Sequence, residues 1–116
     1  MQREETKPSV YPSMHCLLNQ VEINERMRKV LVDWLIEVHL NFKLLPETLF
    51  IAIKLIDKYT EHEQVVRKNF QLLGVTCLLI AAKYEEIYPP YIKDFIYVTD
   101  QAYTKEQIIE MELKVL

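Results

Sequence analysis

Eleven consecutive residues, Leu72 to Ala82, carry no charged side chain. No other feature of this sequence restricts the fold as strongly. At helical spacing such a run is apolar on every side, and a helix of that kind is stable only when others surround it. Its longest unbroken apolar stretch, Leu78 to Ala82, is far too short for a bilayer, which takes about 20 residues. The run is therefore predicted to be a central helix with the remaining elements packed around it. Glycine and proline support an all-helical fold: 1 + 5 = 6 of 116 residues, too few for the tight turns of a sheet protein. One hundred and sixteen residues match one domain, large enough for a core without disulfides or metal.

The helices can be placed from their ends. Residues 1–22, with Pro8 and Pro12, read as an irregular lead-in, with a short helical turn near Met14 to Leu18. Asn24 is a good N-cap, and a first helix runs to about Phe42. Pro46 suits the first turn of a second, ending near Tyr59. Residues 60–68 connect to the third, with Asn69 as its cap and Glu85 as its end. Pro89-Pro90 breaks the chain before a short helix, Tyr91 to Val98. Thr104-Lys-Glu-Gln107 is a capping box for a fifth, still running at Leu116.

The first helix carries more apolar surface than a peripheral helix needs. From Met27 to Phe42 its apolar side chains sweep roughly 240° of the wheel, against a stripe somewhat over 100° for core packing. The excess edge is Met27, Val30, Leu31 and Trp34, bordered by Asp33 and Glu37. Two readings are open: an acid-rimmed docking surface for another polypeptide, or a helix covered on two sides by its own domain.

Three charges fall among apolar neighbours. Arg28 lies inside the apolar arc of the first helix and needs a carboxylate; Asp57 is the best candidate. Glu112 has Ile108, Ile109, Val115 and Leu116 one turn away. Lys83 closes the charge-free helix. Lys83 either pairs internally with Glu86 at i+3, or forms with Glu112 the polar centre of a surface that a partner covers.

Catalytic patterns are missing. Gly74 is the single glycine, so there is no phosphate-binding loop. His15, His39 and His62 have no metal-ligand spacing, and Ser9 and Ser13 fall in the lead-in. Glu85 and Glu86 point to different sides of a helix. Cys16 and Cys77 form no CxxC, and Cys77 reads as a small buried hydrophobe. Residues 1–7 have no apolar core for a signal peptide. A net charge of −3 argues against a nucleic-acid binder. The residues describe a helical binding module without a metal, cofactor or chemistry of its own.

The segment Met27-Arg-Lys-Val-Leu-Val-Asp-Trp-Leu-Ile-Glu-Val-His39 resembles the opening helix of the N-terminal cyclin box of mitotic (A/B-class) cyclins. The resemblance continues through Pro46-Glu-Thr-Leu49, Leu55-Ile-Asp57, Phe70-Gln-Leu-Leu-Gly74 and Ala81-Ala-Lys-Tyr-Glu-Glu-Ile-Tyr-Pro-Pro90. It ends in Phe95-Ile-Tyr-Val-Thr-Asp100, Tyr103-Thr-Lys105 and Met111-Glu112, and covers about residues 23–116. It implies a single five-helix box over 23–116, with the second box of full-length cyclins absent and the fifth helix cut short. It implies a non-enzymatic regulatory subunit, nuclear and cytoplasmic, that binds and activates a cyclin-dependent Ser/Thr kinase and takes no cofactor.

By the same resemblance, Lys83, Tyr84, Glu85, Glu86, Ile87, Glu112 and Leu116 contact the kinase. Met27, Val30, Leu31, Trp34, Glu37 and Gln71 form a patch for Arg-x-Leu motifs on substrates or inhibitors, with no nucleic-acid or membrane partner. Trp34 and Leu31 would take the leucine and Glu37 would face the arginine. Arg28 and Asp57 are the family's buried ion pair. Tyr59-Thr60 stands where the family has an aromatic–leucine pair, which predicts a looser corner. Arg28-Lys-Val-Leu31 fits the Arg-x-x-Leu core of a destruction box but is accounted for by packing. Two alternatives are an adaptor in transcription and a short cyclin that binds a kinase without activating it.

Overall fold

The computed structural model describes residues 20–116. Expectations for Cys16, His15, Ser9, Ser13 and the turn near Met14 lie outside the described residues. Among those described there are five α-helices and no strand: α1 (Glu25–Asn41), α2 (Pro46–His62), α3 (Phe70–Glu85), α4 (Ile92–Val98) and α5 (Lys105–Val115). A 3-10 turn, Arg67–Asn69, leads into α3.

Helix α3 is the hub. It packs against each of the other four helices, and every residue from Leu72 to Leu79 is buried. Burying apolar side chains from all sides of one helix is worth about 25 cal/mol per Å2, and the absence of charge lets the whole circumference contribute. Gly74 has a specific reason to be glycine. A Cβ there would lie 2.8 Å from Leu31 Cδ1, so the bare backbone of α3 lets α1 approach.

The caps set the ends. Asn24 Oδ1 accepts from the Met27 N–H at 2.9 Å. Thr104 and Gln107 form the reciprocal box, at 3.1 Å and 2.8 Å. Helix α1 stops in a Schellman turn: Lys43 N–H donates to Leu40 O and Leu44 N–H to His39 O, with Lys43 at φ 57°. The Phe42 and Phe95 rings then meet edge to face, 5.3 Å apart, and fasten this corner to α4.

Three expectations change. Helix α2 continues a turn past Tyr59, to His62. This last turn holds Thr60, which is buried and whose hydroxyl donates back to the Ile56 and Asp57 carbonyls at 3.0 and 3.1 Å. Gln20 Nε2 reaches the carbonyls of Thr60 and Glu63 at 2.7 and 2.6 Å, so the corner is tied down rather than loose. Asn69 precedes α3 but makes no side-chain cap; the 3-10 turn does the work of starting the helix.

Candidate functional site

Arg28 and Asp57 meet across α1 and α2 in a two-pronged ion pair, Nε–Oδ1 2.9 Å and Nη2–Oδ2 2.8 Å. Arg28 is buried and Asp57 nearly so. The fork geometry of guanidinium and carboxylate compensates the desolvation of both. The pair sits behind the groove-forming edge of α1 and fixes its rotation against α2.

That edge opens on a groove of about 420 Å3 lined by Met27, Val30, Leu31, Trp34, Phe70 and Gln71, with Arg26 and Arg67 at its margin. Leu31 and Phe70 are buried and form the floor; Val30 is exposed; Met27, Trp34 and Gln71 are half-buried. Five of the six residues singled out for the patch thus converge here. Glu37 does not line this groove. It lies beyond Trp34, in an adjoining depression with Val38, Asn41, Tyr97, Val98 and Asp100. Trp34 is the ridge between the two.

The acidic rim expected around the groove is corrected in two ways. Asp33 is drawn to Lys29 at i,i+4, 3.1 Å away. The charges at the groove's edge are Arg26 and Arg67, while acid gathers past Trp34 as Glu37 and Asp100. Neither Arg67 nor Asp100 could be found on a helical wheel of α1, because the fold brings them in from the turn before α3 and the end of α4. Arg26 was visible on α1 but lies outside its apolar arc.

The second surface surrounds the end of α3. Lys83 does not pair with Glu86, as the i+3 spacing allows. It pairs with Glu112 on α5, Nζ–Oε2 2.5 Å. The two charges are therefore not stranded. They are not sealed either: the Lys83 side chain is 52% exposed and that of Glu112 15%. An ammonium has three donors and a carboxylate about four acceptor sites, so this contact leaves capacity on both. Around the pair, Tyr84, Ile87, Leu113 and Leu116 are exposed, and Glu85 is half-buried. A hollow of about 620 Å3 beside Lys83 is walled by Ile87, Tyr88, Pro89, Pro90 and Tyr91.

Glu86 points the other way. Its Oε2 accepts from the Leu45 N–H at 2.6 Å and from the buried Thr48 hydroxyl at 2.5 Å. Leu45 offers no side-chain cap to α2, so Glu86 supplies one across 41 residues, with its charge at the positive end of the helix dipole. This use of Glu86 is tertiary and leaves no local sequence signal.

Among the described residues no group of three potential metal ligands is present, and no helix is long and apolar enough to cross a membrane. His39 is buried with Nδ1 2.7 Å from the Ile36 carbonyl, a local satisfaction of the ring. Burial pushes the Cys77 thiol far above its ordinary range, with the Asp57 charge adding to the effect. A thiol held protonated is a poor nucleophile.

Known proteins are similar to this chain in sequence and in fold. The family model described as the cyclin N-terminal domain matches residues 1–116. A G2/mitotic-specific cyclin-B of Marthasterias glacialis is 59% identical over 95 residues, covering 82% of this chain and 24% of that protein. Cyclin-B1-3 of Arabidopsis thaliana is 49% identical over 112 residues, 97% of this chain and 26% of its own length. A G2/mitotic-specific cyclin-A of Hydra viridissima is 44% identical over 105 residues, 90% of this chain and 25% of its own. The chain thus spans about a quarter of the length of these relatives. The crystal structure of a viral cyclin from herpesvirus saimiri superposes with a TM-score of 0.80 over 93% of this chain and 46% of that one, at 22% identity. The all-helical fold, the family match and the B- and A-type relatives together place this chain in the cyclin N-terminal domain family, as a cyclin box of the mitotic type.

Proposed function

We propose that this cyclin box is a regulatory, non-enzymatic module that binds a cyclin-dependent Ser/Thr kinase in mitotic control, acting in nucleus and cytoplasm. The observation that carries the reading is the half-open Lys83–Glu112 pair set among exposed Tyr84, Ile87, Leu113 and Leu116. An apolar field with a polar centre suits a partner backbone: Lys83 donates to a carbonyl, Glu112 accepts from an N–H, and the surrounding side chains exclude water. Glu86 holds the segment from below, so Tyr84 and Ile87 stay presented. Activation then follows from selective binding. A kinase needs its regulatory helix inward to form its lysine–glutamate pair, and a rigid module that prefers the inward state shifts the population by its differential affinity.

The experiment is capture of a cyclin-dependent kinase by this chain, followed by a kinase activity assay. Lys83→Glu sets a carboxylate opposite Glu112 and is expected to abolish capture. Equal capture by the variant rejects the assigned face. Capture without a rise in kinase activity selects the reading of a cyclin that binds but does not activate.

The groove on α1 supports a second, compatible role: docking of Arg-x-Leu segments on substrates or inhibitors. The leucine enters between Leu31 and Trp34, and the arginine crosses Trp34 to Glu37 and Asp100. Docking raises the effective concentration of substrate at the kinase without touching its chemistry. Trp34→Ala is expected to weaken such a peptide and spare kinase capture. Salt-dependent binding to DNA would instead favour the transcription-adaptor reading, which the net charge of −3 opposes.

A further inference from the structure

The two ends of the docking surface on α1 carry opposite charge. Past Trp34 lie Glu37 and Asp100. At the other end the groove is flanked by Arg26 and Arg67, both exposed. Arg26 precedes Met27 on α1, and Arg67 enters from the 3-10 turn before α3. Neither guanidinium has an ion-pair partner among the described residues. Glu22 Oε1 accepts from the Arg67 backbone N–H at 2.8 Å, not from its guanidinium. Two guanidiniums beside an apolar floor present an anion-binding margin.

We propose that this groove selects acidic peptides: an Arg-x-Leu segment followed by an Asp or Glu side chain that Arg26 and Arg67 read. The inference rests on the docking role given above and deepens it into a rule about sequence. The spacing follows from the helix. Glu37 and Arg26 are eleven positions apart on α1, about 16 Å along its axis. An extended peptide covers that span in about five residues at roughly 3.3 Å each. With arginine at Glu37, the leucine two residues on lies about 7 Å along α1, at the height of Trp34 and Leu31. The carboxylate then falls near the fifth residue after the arginine, giving Arg-x-Leu-x-x-Glu. The peptide must run antiparallel to α1, because only that direction matches all three positions.

Fluorescence anisotropy with three labelled peptides tests this on the full chain: Arg-x-Leu-x-x-Glu, the same peptide with Gln for Glu, and one with the Glu moved ahead of the arginine. The first is expected to bind about 3- to 10-fold tighter than either other, as two exposed charge contacts allow. The advantage should shrink with added salt and vanish in the double variant Arg26→Gln, Arg67→Gln. Both side chains are exposed, and an unchanged thermal melt verifies the variant's fold. Equal binding of all three peptides overturns the inference while leaving docking intact. A preference that survives in the double variant also overturns it. Failure of every peptide to bind removes the docking reading and this one together.

Discussion

Arg28 shows how much one side chain can hold in place. Its fork to Asp57 is buried at the junction of α1 and α2. Arg28→Ala leaves the carboxylate without its partner and is expected to lower the unfolding free energy by about 3–5 kcal/mol in urea denaturation. Arg28→Met combined with Asp57→Leu should recover most of that loss, since an apolar pair of similar volume has no charge to desolvate. Lys43 offers the opposite case. It occupies the left-handed position of a Schellman turn, at φ 57°, where a side chain is strained. Lys43→Gly is expected to stabilise the chain by about 1 kcal/mol, read as a higher melting temperature. The Arg28–Asp57 match was legible because Arg28 falls inside the apolar arc of α1 and Asp57, toward the end of α2, was the best candidate for its carboxylate. The Lys83–Glu112 contact was legible only as a pair of oddities. Which of Glu86 and Glu112 meets the lysine depends on how α5 packs on α3, and local spacing cannot say.

Among the helices, caps supplied from within were readable, whereas α2 was readable from Pro46 but the source of its cap was not. Asn24 and the Thr104–Gln107 box act within their own first turns. Helix α2 begins at Pro46 with its cap supplied by Glu86 from beyond the end of α3. Glu86→Ala should therefore destabilise α2 more than α3, by about 1–2 kcal/mol overall. Hydrogen exchange checks it: the Leu45 and Thr48 amides should lose protection before those in the middle of α3. The groove has the same character. Its α1 edge was visible as a surplus of apolar arc, whereas Arg67 and Asp100 join only through the connections before α3 and after α4.

For the molecule as a whole, burial fixes how pH acts. Desolvation raises Tyr59, Tyr103 and Cys77 above their ordinary values. The folded state holds these three protons more tightly than the unfolded chain does. Their contribution is complete below the unfolded values, about 8.5 for a thiol and 10 for a phenol, and is lost as pH climbs past them. Melting temperature is expected to fall steadily above about pH 9 while staying level below it, as far as these groups are concerned. The same burial predicts that Cys77 resists alkylation until the chain unfolds, which peptide-resolved mass spectrometry can follow. The all-helical hub was plain in the sequence because a charge-free helix has only one way to be stable in water. Leu31 belongs to both halves of the molecule: one side rests against the bare backbone of Gly74, the other faces the open groove. Interior and recognition surface thus share one partition. A methyl group added at position 74 would push that partition outward, so this module cannot retune its specificity there without also repacking its centre.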